Sequence, residues 1–385
     1  MQNNAFTFYE FFAGAGMVRQ GLGPTWQCLF ANDFDPKKAA TYKRNWGKAE
    51  FQEGDIRNIA CEELPGKADL AWASFPCQDL SLAGNYQGLK GARSGTFWPF
   101  WQLMHELHGK NRAPEFIVLE NVCGALTSHQ GKDFIAICAS LQQLGYRVGA
   151  VVMDAVHFLP QSRPRLFIIG AAGNLSIPHQ VMATTPSPPW NTSAIERAFN
   201  MLPTEMQQHW TWWHMPQPPT RRLRLIDLIE PNPESVSWHS AEETEKILNM
   251  MSEVNRSKVD YAQQLDHLVV GAVYRRTRSN AKGEKVQRAE IRMDGIAGCL
   301  RTPSGGSSRQ ILLFIEGSKI KSRLISSRET ARLMGLPDTY KLPENYNEAY
   351  HLTGDGVAAP VVRHIAGHLI EPVFEFNRSI SKGVA

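Results

Sequence analysis

Several segments of this sequence carry residue types suited to covalent, acid–base or anion-binding chemistry. Ser74-Phe75-Pro76-Cys77-Gln78 sets a cysteine just past an apolar run, beside a proline-fixed turn. A thiolate held there can act as a nucleophile when cationic groups or helix ends assist it. A lone cysteine also serves as a small core residue. Leu119-Glu120-Asn121-Val122 ends another apolar run in a carboxylate. Pro160-Gln161-Ser162-Arg163-Pro164-Arg165 leads into a third run. Alternate positions of an extended segment share a face, so Gln161, Arg163 and Arg165 are expected to point together. Two guanidiniums on one face can grip a phosphate or a carbonyl oxygen, or can simply charge an edge strand. Phe12-Ala13-Gly14-Ala15-Gly16 follows the first apolar run, and its glycines permit a tight turn and close approach of a ligand. Asp33, and Asp55 in Gly54-Asp55-Ile56, are placed to accept hydrogen bonds from ribose hydroxyls or to be solvated carboxylates.

The elements that must position these residues alternate. Strand-like runs at Phe6–Phe12, Gln27–Ala31, Asp69–Ser74, Phe116–Leu119, Arg147–Met153 and Leu166–Ile169 are interleaved with helix-like segments at Pro36–Trp46, Phe97–His108 and Phe134–Leu144. That alternation predicts a doubly wound, mostly parallel sheet, which binds ligands beyond the carboxyl ends of its strands. The reactive residues sit at those ends. Near Ala171 the character changes. Residues 182–233 are rich in Pro, Trp and His, and five of the ten tryptophans lie between Trp190 and Trp238. The bland reading of these tryptophans is the core of a second domain. Ser240–Val254, Ser327–Met334 and Ala359–Ile370 read as helices.

At 385 residues the chain has room for two domains or three. Its net charge of +4 is unevenly spread. Gly271–Arg309 holds nine Lys/Arg and three Asp/Glu, a net +6 in 39 residues, which leaves −2 for the other 346. The six cysteines form no Cys-x-x-Cys pair, which argues against a zinc ribbon, a redox dithiol and a disulfide framework. No basic leader and no apolar run near the ~18 residues of a membrane span is present, so an intracellular location is expected. His364 and His368 have i,i+4 spacing but no third ligand, and are expected to be ordinary helix residues.

Taken in order, the motifs resemble the DNA (cytosine-5) methyltransferases of bacterial restriction–modification systems. The resemblance covers about residues 6–170 and 290–375. It rests on the Phe-x-Gly-x-Gly start, Asn32-Asp33, Gly54-Asp55-Ile56, Pro76-Cys77-Gln78, Gly95-Thr96, Glu120-Asn121-Val122, Gln161-x-Arg163-x-Arg165, the run Arg328-Glu329-Thr330-Ala331-Arg332-Leu333 and the closing Gly354-Asp355-Gly356-Val357. Met17, Ser74 and Asp355 depart from the family's usual residues, Asp355 standing where most members have Asn.

The resemblance implies a catalytic set of Cys77, Glu120, Arg163 and Arg165. Cys77 would add to carbon 6 of a flipped cytosine, Glu120 would engage ring nitrogen 3 and the amine, and Arg165 would hold the base oxygen with Arg163 in support. It implies S-adenosyl-L-methionine as cofactor and no metal. Phe12 and Phe34 would flank the adenine, Asp33 would hold the ribose, and Asp55 with Ile56 would meet the adenine edge. Ala13, Gly14, Ala15, Gly16, Pro76, Asp355 and Val357 would complete that pocket. Asp79–Arg93 resembles the mobile loop that closes over the base, with Gln78, Ser81, Lys90 and Arg93 as DNA contacts.

The fold expected is α/β, a Rossmann-like doubly wound mixed sheet with a smaller, irregular target-recognition domain and a DNA cleft between them. The catalytic domain would span 1–184 plus 353–385, the recognition domain 185–325 and a connecting segment 326–352, with the C-terminal helix returning to the catalytic domain. The basic stretch falls in the recognition interval. Tyr274–Arg278 and Leu300–Arg309 resemble its two recognition loops. Arg275, Arg276, Arg278, Arg301 and Arg309 are candidates for guanine or phosphate contacts, and Thr302, Ser304, Gly305 and Gly306 for close approach to DNA. The implied setting is a monomer in the bacterial cytoplasm, nucleoid-associated and off the membrane, acting on double-stranded DNA. A restriction endonuclease would be its genetic rather than physical partner. The rival readings are a tRNA cytosine-5 methyltransferase and a catalytically silent DNA-binding relative.

Overall fold

Phe6–Phe11 (β1) is a run of aromatic and β-favouring residues, nearly all buried, as expected of a parallel strand covered on both faces. The computed structural model describes residues 6–75, 96–218, 220–279, 283–301 and 309–383. The chain divides into two compact units, one of Met1–Asp154, Pro164–Pro219 and Ala359–Ala385, the other of Ala155–Arg163 and Thr220–Ala358.

In the first unit β1 is followed by Met17–Leu22 (α1), Trp26–Asp33 (β2), Pro36–Trp46 (α2), Phe51–Glu53 (β3), Leu70–Ala73 (β4), Phe97–Gly109 (α3), Phe116–Asn121 (β5), Lys132–Gln143 (α4), Tyr146–Asp154 (β6) and Pro164–Ala172 (β7). Short segments Met182–Ala183 (β8), Ser193–Asn200 (α5), Thr204–Gln208 (α6) and Trp212–Trp213 (β9) come next. Local chemistry sets the helix ends. Asp35 caps α2 by accepting the amides of Lys37 and Lys38, and Pro36 occupies the first helical turn, where its missing N–H costs nothing.

The large sheet has the order β3-β2-β1-β4-β5-β7-β6. β1 to β5 pair in parallel, and β7 runs antiparallel between β5 and β6. The chain winds one way from β1 to β3 and the other way from β4 onwards, so the switch lies between β1 and β4. Loops there leave in opposite directions and open a crevice beyond the strand ends.

Four of the tryptophans expected in a second domain belong to this unit instead. β6 is an edge strand, and an uncovered edge exposes unpaired backbone groups. Residues 210–213 cover it: the Thr211 amide donates to the Val148 carbonyl at 2.8 Å, and Trp213 Nε1 donates to the Ile169 carbonyl at 3.1 Å. Gly149 permits this approach, since a Cβ there would lie 2.0 Å from the Thr211 oxygen. Trp190 and Trp213 are buried, and Trp210 and Trp212 pack on the core of the same unit.

The C-terminal helices pack against α1 and β2. Ala359–Ile365 (α11) passes through a π-helical turn into Glu371–Gly383 (α12). Gly21 of α1 lets Val362 close in, since a Cβ there would come within 2.5 Å of it. Arg363 donates to the Leu22 carbonyl, and Trp26 Nε1 donates to Glu371, both at 2.6 Å.

The second unit holds Ala241–Asn249 (α7), Glu253–Gln263 (α8), Val269–Ser279 (β10), Lys285–Arg292 (β11), Ile311–Glu316 (β12), Lys319–Leu324 (β13), Ser327–Arg332 (α9) and Tyr346–Asp355 (α10). Its antiparallel sheet has the order β11-β10-β12-β13. The single helix expected at Ser240–Val254 is broken between α7 and α8. The Met250 carbonyl turns out to accept the Ala289 amide of β11 at 3.0 Å, and Ser252 starts a new helix.

A buried ion pair organises the start of α9. Arg323 donates to both oxygens of Glu329 at 2.6 and 2.8 Å, and both side chains are almost fully buried. Glu329 also accepts the amides of Ser326 and Glu230, each at 2.8 Å. Removing one partner strands the other charge without water, a loss of about 3–5 kcal/mol. Arg323→Ala and Glu329→Ala should each lower the stability of the full chain by that order in urea denaturation. The double variant should lose less than the sum of the two. Additive losses would show that the pair is not coupled.

Candidate active site

The first group of site residues surrounds the turn after β1. Phe12 and Gly14 both take φ of 56°, and Gly16 takes 80°. Gly16 is required twice over, by that left-handed backbone and by space, since a Cβ would lie 2.4 Å from Trp46 Nε1. Trp46 Nε1 donates to the Ala15 carbonyl at 3.1 Å and pins the turn from behind. From the end of β2, Asp33 takes the Gly14 amide on Oδ2 at 2.7 Å and the Asp35 amide on Oδ1 at 2.9 Å. Each oxygen keeps a lone pair for a further donor. Burial raises the Asp33 carboxyl above its ordinary pKa, while the Asp35 amide, Lys38 and the Gly14 amide oppose the shift. Next to Asp33, Phe34 is 67% exposed, unusual for a phenylalanine beside a core.

Asn32 is buried and ties the neighbouring strand ends together through its Nδ2, which donates to the carbonyls of Gln52 and Gly54 at 3.0 and 2.9 Å. Asp55 caps the short turn Ile56–Asn58, and both its oxygens are held by Arg57, which keeps its carboxyl below the ordinary range. Ile56 is buried beneath it.

The second group lies at the ends of β5 and β7. Arg165 Nε meets Glu120 Oε1 at 3.2 Å, with side-chain exposures of 15% and 8%. Arg165 also donates Nη1 to the Pro164 carbonyl at 2.9 Å. Beside Glu120, Asn121 Nδ2 donates to the Phe75 carbonyl at 3.0 Å. This fixes the residue that leads into Pro76 and Cys77 against the strand that carries Glu120. Pro76, Cys77, Gln78, Ser81, Lys90 and Arg93 lie outside the described residues. Burial raises the thiols of Cys28, Cys123 and Cys138, the behaviour of packing residues.

The expectation that Gln161, Arg163 and Arg165 share one face does not hold. β7 starts only at Pro164, so strand alternation does not reach back to residue 161. Gln161 and Arg163 belong to the second unit and both meet Leu300. Gln161 Oε1 accepts its amide at 3.2 Å, and Arg163 Nη1 donates to its carbonyl at 2.9 Å. Arg163 Nη2 also donates to the carbonyls of Gly354 and Gly356, at 2.8 and 2.6 Å. It thereby clamps the backbone on either side of the exposed Asp355, next to the buried Val357.

Tyr274–Arg278, expected as a loop, forms part of β10 and pairs with β11 throughout. Arg275, Arg276 and Arg278 are therefore strand residues. Arg301 is exposed, and Arg309 donates to the Asn347 side chain and lies over the Tyr346 ring. Thr302, Ser304, Gly305 and Gly306 lie outside the described residues.

One polar residue near the turn was missed in the sequence. Glu10, in the middle of β1, is fully buried, and among the described residues neither carboxylate oxygen meets a donor in full hydrogen-bond geometry. The signal was present as a single acid inside the aromatic run Phe8-Tyr9-Glu10-Phe11-Phe12.

A model of the C-5 cytosine-specific DNA methylase family matches residues 6–371. Type II methyltransferase M.BsuFI of Bacillus subtilis is 28% identical over 369 residues, which cover 95% of this chain and 72% of that protein. Type II methyltransferase M.HaeII of Haemophilus aegyptius is 25% identical over 378 residues, 97% of this chain and 96% of that one. Among solved structures, the S. pombe Dnmt2 methyltransferase superimposes with a TM-score of 0.56 at 17% identity, covering 96% of this chain and 99% of its own, a likeness of fold.

Burial pushes the Glu10 carboxyl up to about 8, opposed by Arg19 and by the amides that open α1. The folded state thus holds this proton more tightly than the unfolded chain. The stabilisation is complete below the unfolded carboxyl pKa and is lost as pH rises through about 8. Glu10→Gln, which stays neutral, should match the wild type in thermal unfolding near pH ~5 and melt higher than it near pH ~8.5. A constant offset across that range would contradict a buried, proton-linked Glu10.

Proposed function

The chain belongs to the C-5 cytosine-specific DNA methylases, and from that premise we propose that it methylates carbon 5 of a flipped cytosine through a covalent Cys77 adduct. It is a DNA (cytosine-5) methyltransferase of the restriction–modification type. The observation that carries the finer reading is the Glu120–Arg165 pair beside the Asn121–Phe75 hydrogen bond. A base-binding acid and base-binding cation stand together one residue from the segment that bears Pro76 and Cys77.

The strand ends of the first unit fit S-adenosyl-L-methionine. Phe12 and the exposed Phe34 offer rings for an adenine, and Asp33 keeps acceptor capacity for ribose hydroxyls. The turn Ala13–Gly16 presents backbone rather than bulk to the remaining part. Asp55 reaches an adenine edge only by sharing Arg57. When bound, the cofactor supplies an electrophilic methyl group for carbon 5.

The chain's own residues make carbon 5 reactive. The target atom is inaccessible in a stacked duplex, so the base is flipped into the site. The Cys77 thiolate forms a bond from sulfur to carbon 6, which moves an electron pair towards carbon 5. Glu120 holds a proton at ring nitrogen 3, so that the added electron density is not stranded as an anion. Arg165 grips the base oxygen and, through its contact with Glu120, keeps the carboxyl aimed. Once carbon 5 carries the methyl group, its proton passes to water, the ring nitrogen 3 proton returns to Glu120, and the sulfur–carbon bond breaks to release the Cys77 thiolate. Arg163 acts at one remove by fixing the Gly354–Gly356 backbone. The first unit carries the chemistry, and the basic second unit holds duplex DNA. The enzyme works as a monomer, and a cognate endonuclease is its genetic partner.

DNA with 5-fluorocytosine at the target position should become covalently trapped on the wild-type enzyme, because fluorine cannot leave as a cation. Denaturing gels should show the adduct for the wild type and none for Cys77→Ala. Glu120→Gln should slow trapping by about 10²–10⁴-fold, the range for loss of a positioned acid. Trapping by Cys77→Ala at the wild-type rate would assign the attack to another residue.

A further inference from the structure

β10 outruns its sheet. β12 pairs with it only from Val269 to Val273, whereas β11 stays paired from Ala272 to Ser279. Residues 274–279 and 285–290 therefore form a two-stranded ribbon without a third strand among the described residues. Residues directly opposite in an antiparallel pair share a face. One face continues into the core of the unit through Val273, Ile291 and Ala289. The other carries Tyr274 opposite Glu290, Arg276 opposite Arg288, and Arg278 opposite Val286.

That outer face is organised around one carboxylate. Glu290 Oε1 accepts Nε and Nη2 of Arg278 at 2.8 and 2.6 Å, and its Oε2 lies 3.3 Å from Arg276 Nε. The Arg276 guanidinium also lies 5.7 Å from the centre of the Tyr274 ring. The Tyr274 ring is itself packed down on Gly298, where even a Cβ would collide with it. Both guanidiniums are thus set before any ligand arrives, yet about half of each side chain remains exposed. Arg288 is exposed, stands directly opposite Arg276, and has no ion-pair partner among the described residues. Like charges opposite each other on a ribbon are unfavourable. A face with three guanidiniums and one carboxylate is complete only against a ligand rich in acceptors.

We propose that this outer face is the surface that enters the DNA major groove, and that Glu290 is a positioning residue that sets target specificity by aiming Arg276 and Arg278. The inference rests on the DNA-methyltransferase reading above and adds to it a structural element and a residue. The major groove admits a two-stranded ribbon, and an arginine presenting its end edge-on bonds guanine O6 and N7. Glu290 engages Arg276 through Nε, leaving the two terminal nitrogens in that arrangement. A guanidinium held in advance loses little freedom on meeting a base and rejects a base that lacks the two acceptors. Arg288, without such a hold, suits a phosphate, which needs charge rather than alignment.

The test uses the full chain. The wild-type target is first mapped by bisulfite sequencing. Methylation kinetics and binding by fluorescence anisotropy are then measured on that duplex and on duplexes with single base changes. Glu290→Ala should reduce the cognate to near-cognate ratio of kcat/KM by about tenfold or more, with the loss in KM and cognate kcat nearly unchanged. Glu290→Asp should restore part of it. Arg288→Ala should weaken binding to all duplexes alike and make its salt dependence shallower by about one counterion. A discrimination unchanged in Glu290→Ala, or a loss confined to kcat, overturns the ribbon assignment while leaving the enzyme reading intact. A wild type that neither binds nor methylates duplex DNA overturns both.

Discussion

A carboxylate and a guanidinium that are both largely removed from water must pair, and Glu120 and Arg165 do so at 3.2 Å. Where they can meet is dictated by the sheet. β5 runs parallel to β4 and antiparallel to β7, so the carboxyl end of β5 lies beside the amino end of β7. An acid closing one strand and a cation opening the next are thereby brought into contact without any loop having to be held in place. The same geometry lets Asn121 reach the Phe75 carbonyl and bind the end of the β4 segment to the end of β5. The insertion of an antiparallel β7 into a parallel sheet is thus not an ornament of topology. It supplies Arg165 to the point at which Glu120 emerges.

The other half of the crevice obeys the same rule with different residues. At the end of β2, Asn32 and Asp33 divide the work as Asn121 and Glu120 do at the end of β5. In each pair the amide ties adjacent backbone segments together while the acid is held by its own partners, Asp33 by the Gly14 and Asp35 amides and Glu120 by Arg165. Amides can donate to carbonyls without carrying charge into a low-dielectric site, so the strand ends are fastened with little electrostatic penalty. Glu10 is the exception, a fully buried acid with a raised pKa, opposed by Arg19 and the amides that open α1, and with no donor in full hydrogen-bond geometry among the described residues.

Much of this was legible in the sequence because it depends on local order. Strand ends could be recognised from apolar runs halted by Asn-Asp or Glu-Asn, and the parallel sheet from the alternation around them. The resemblance then assigned roles to Glu120, Arg165 and Asp33 that the residues alone left open. What could not be read depends on contacts far apart in the chain. The carbonyls of Leu300, Gly354 and Gly356 that accept from the Arg163 guanidinium are 137 or more residues away, so its departure from Arg165 has no local signature. The tryptophans of residues 190–213 look like any domain core until β6 is known to be an edge strand. The resemblance implies a loop at Tyr274–Arg278, and only the pairing with β11 reveals the ribbon.

The central claim is that Glu120 and Arg165 form the base-binding half of a cytosine-5 methyl-transfer site completed by Cys77. The most direct measurement is bisulfite sequencing of DNA from a methylation-free bacterial host that expresses the full chain, alongside the Arg165→Ala variant and tRNA from the same cells. The account predicts 5-methylcytosine at one short, defined sequence in the DNA, strong loss of that mark with Arg165→Ala, and none added to the tRNA. Unmarked DNA with the wild type, or a wild-type level of marking with Arg165→Ala, would contradict it.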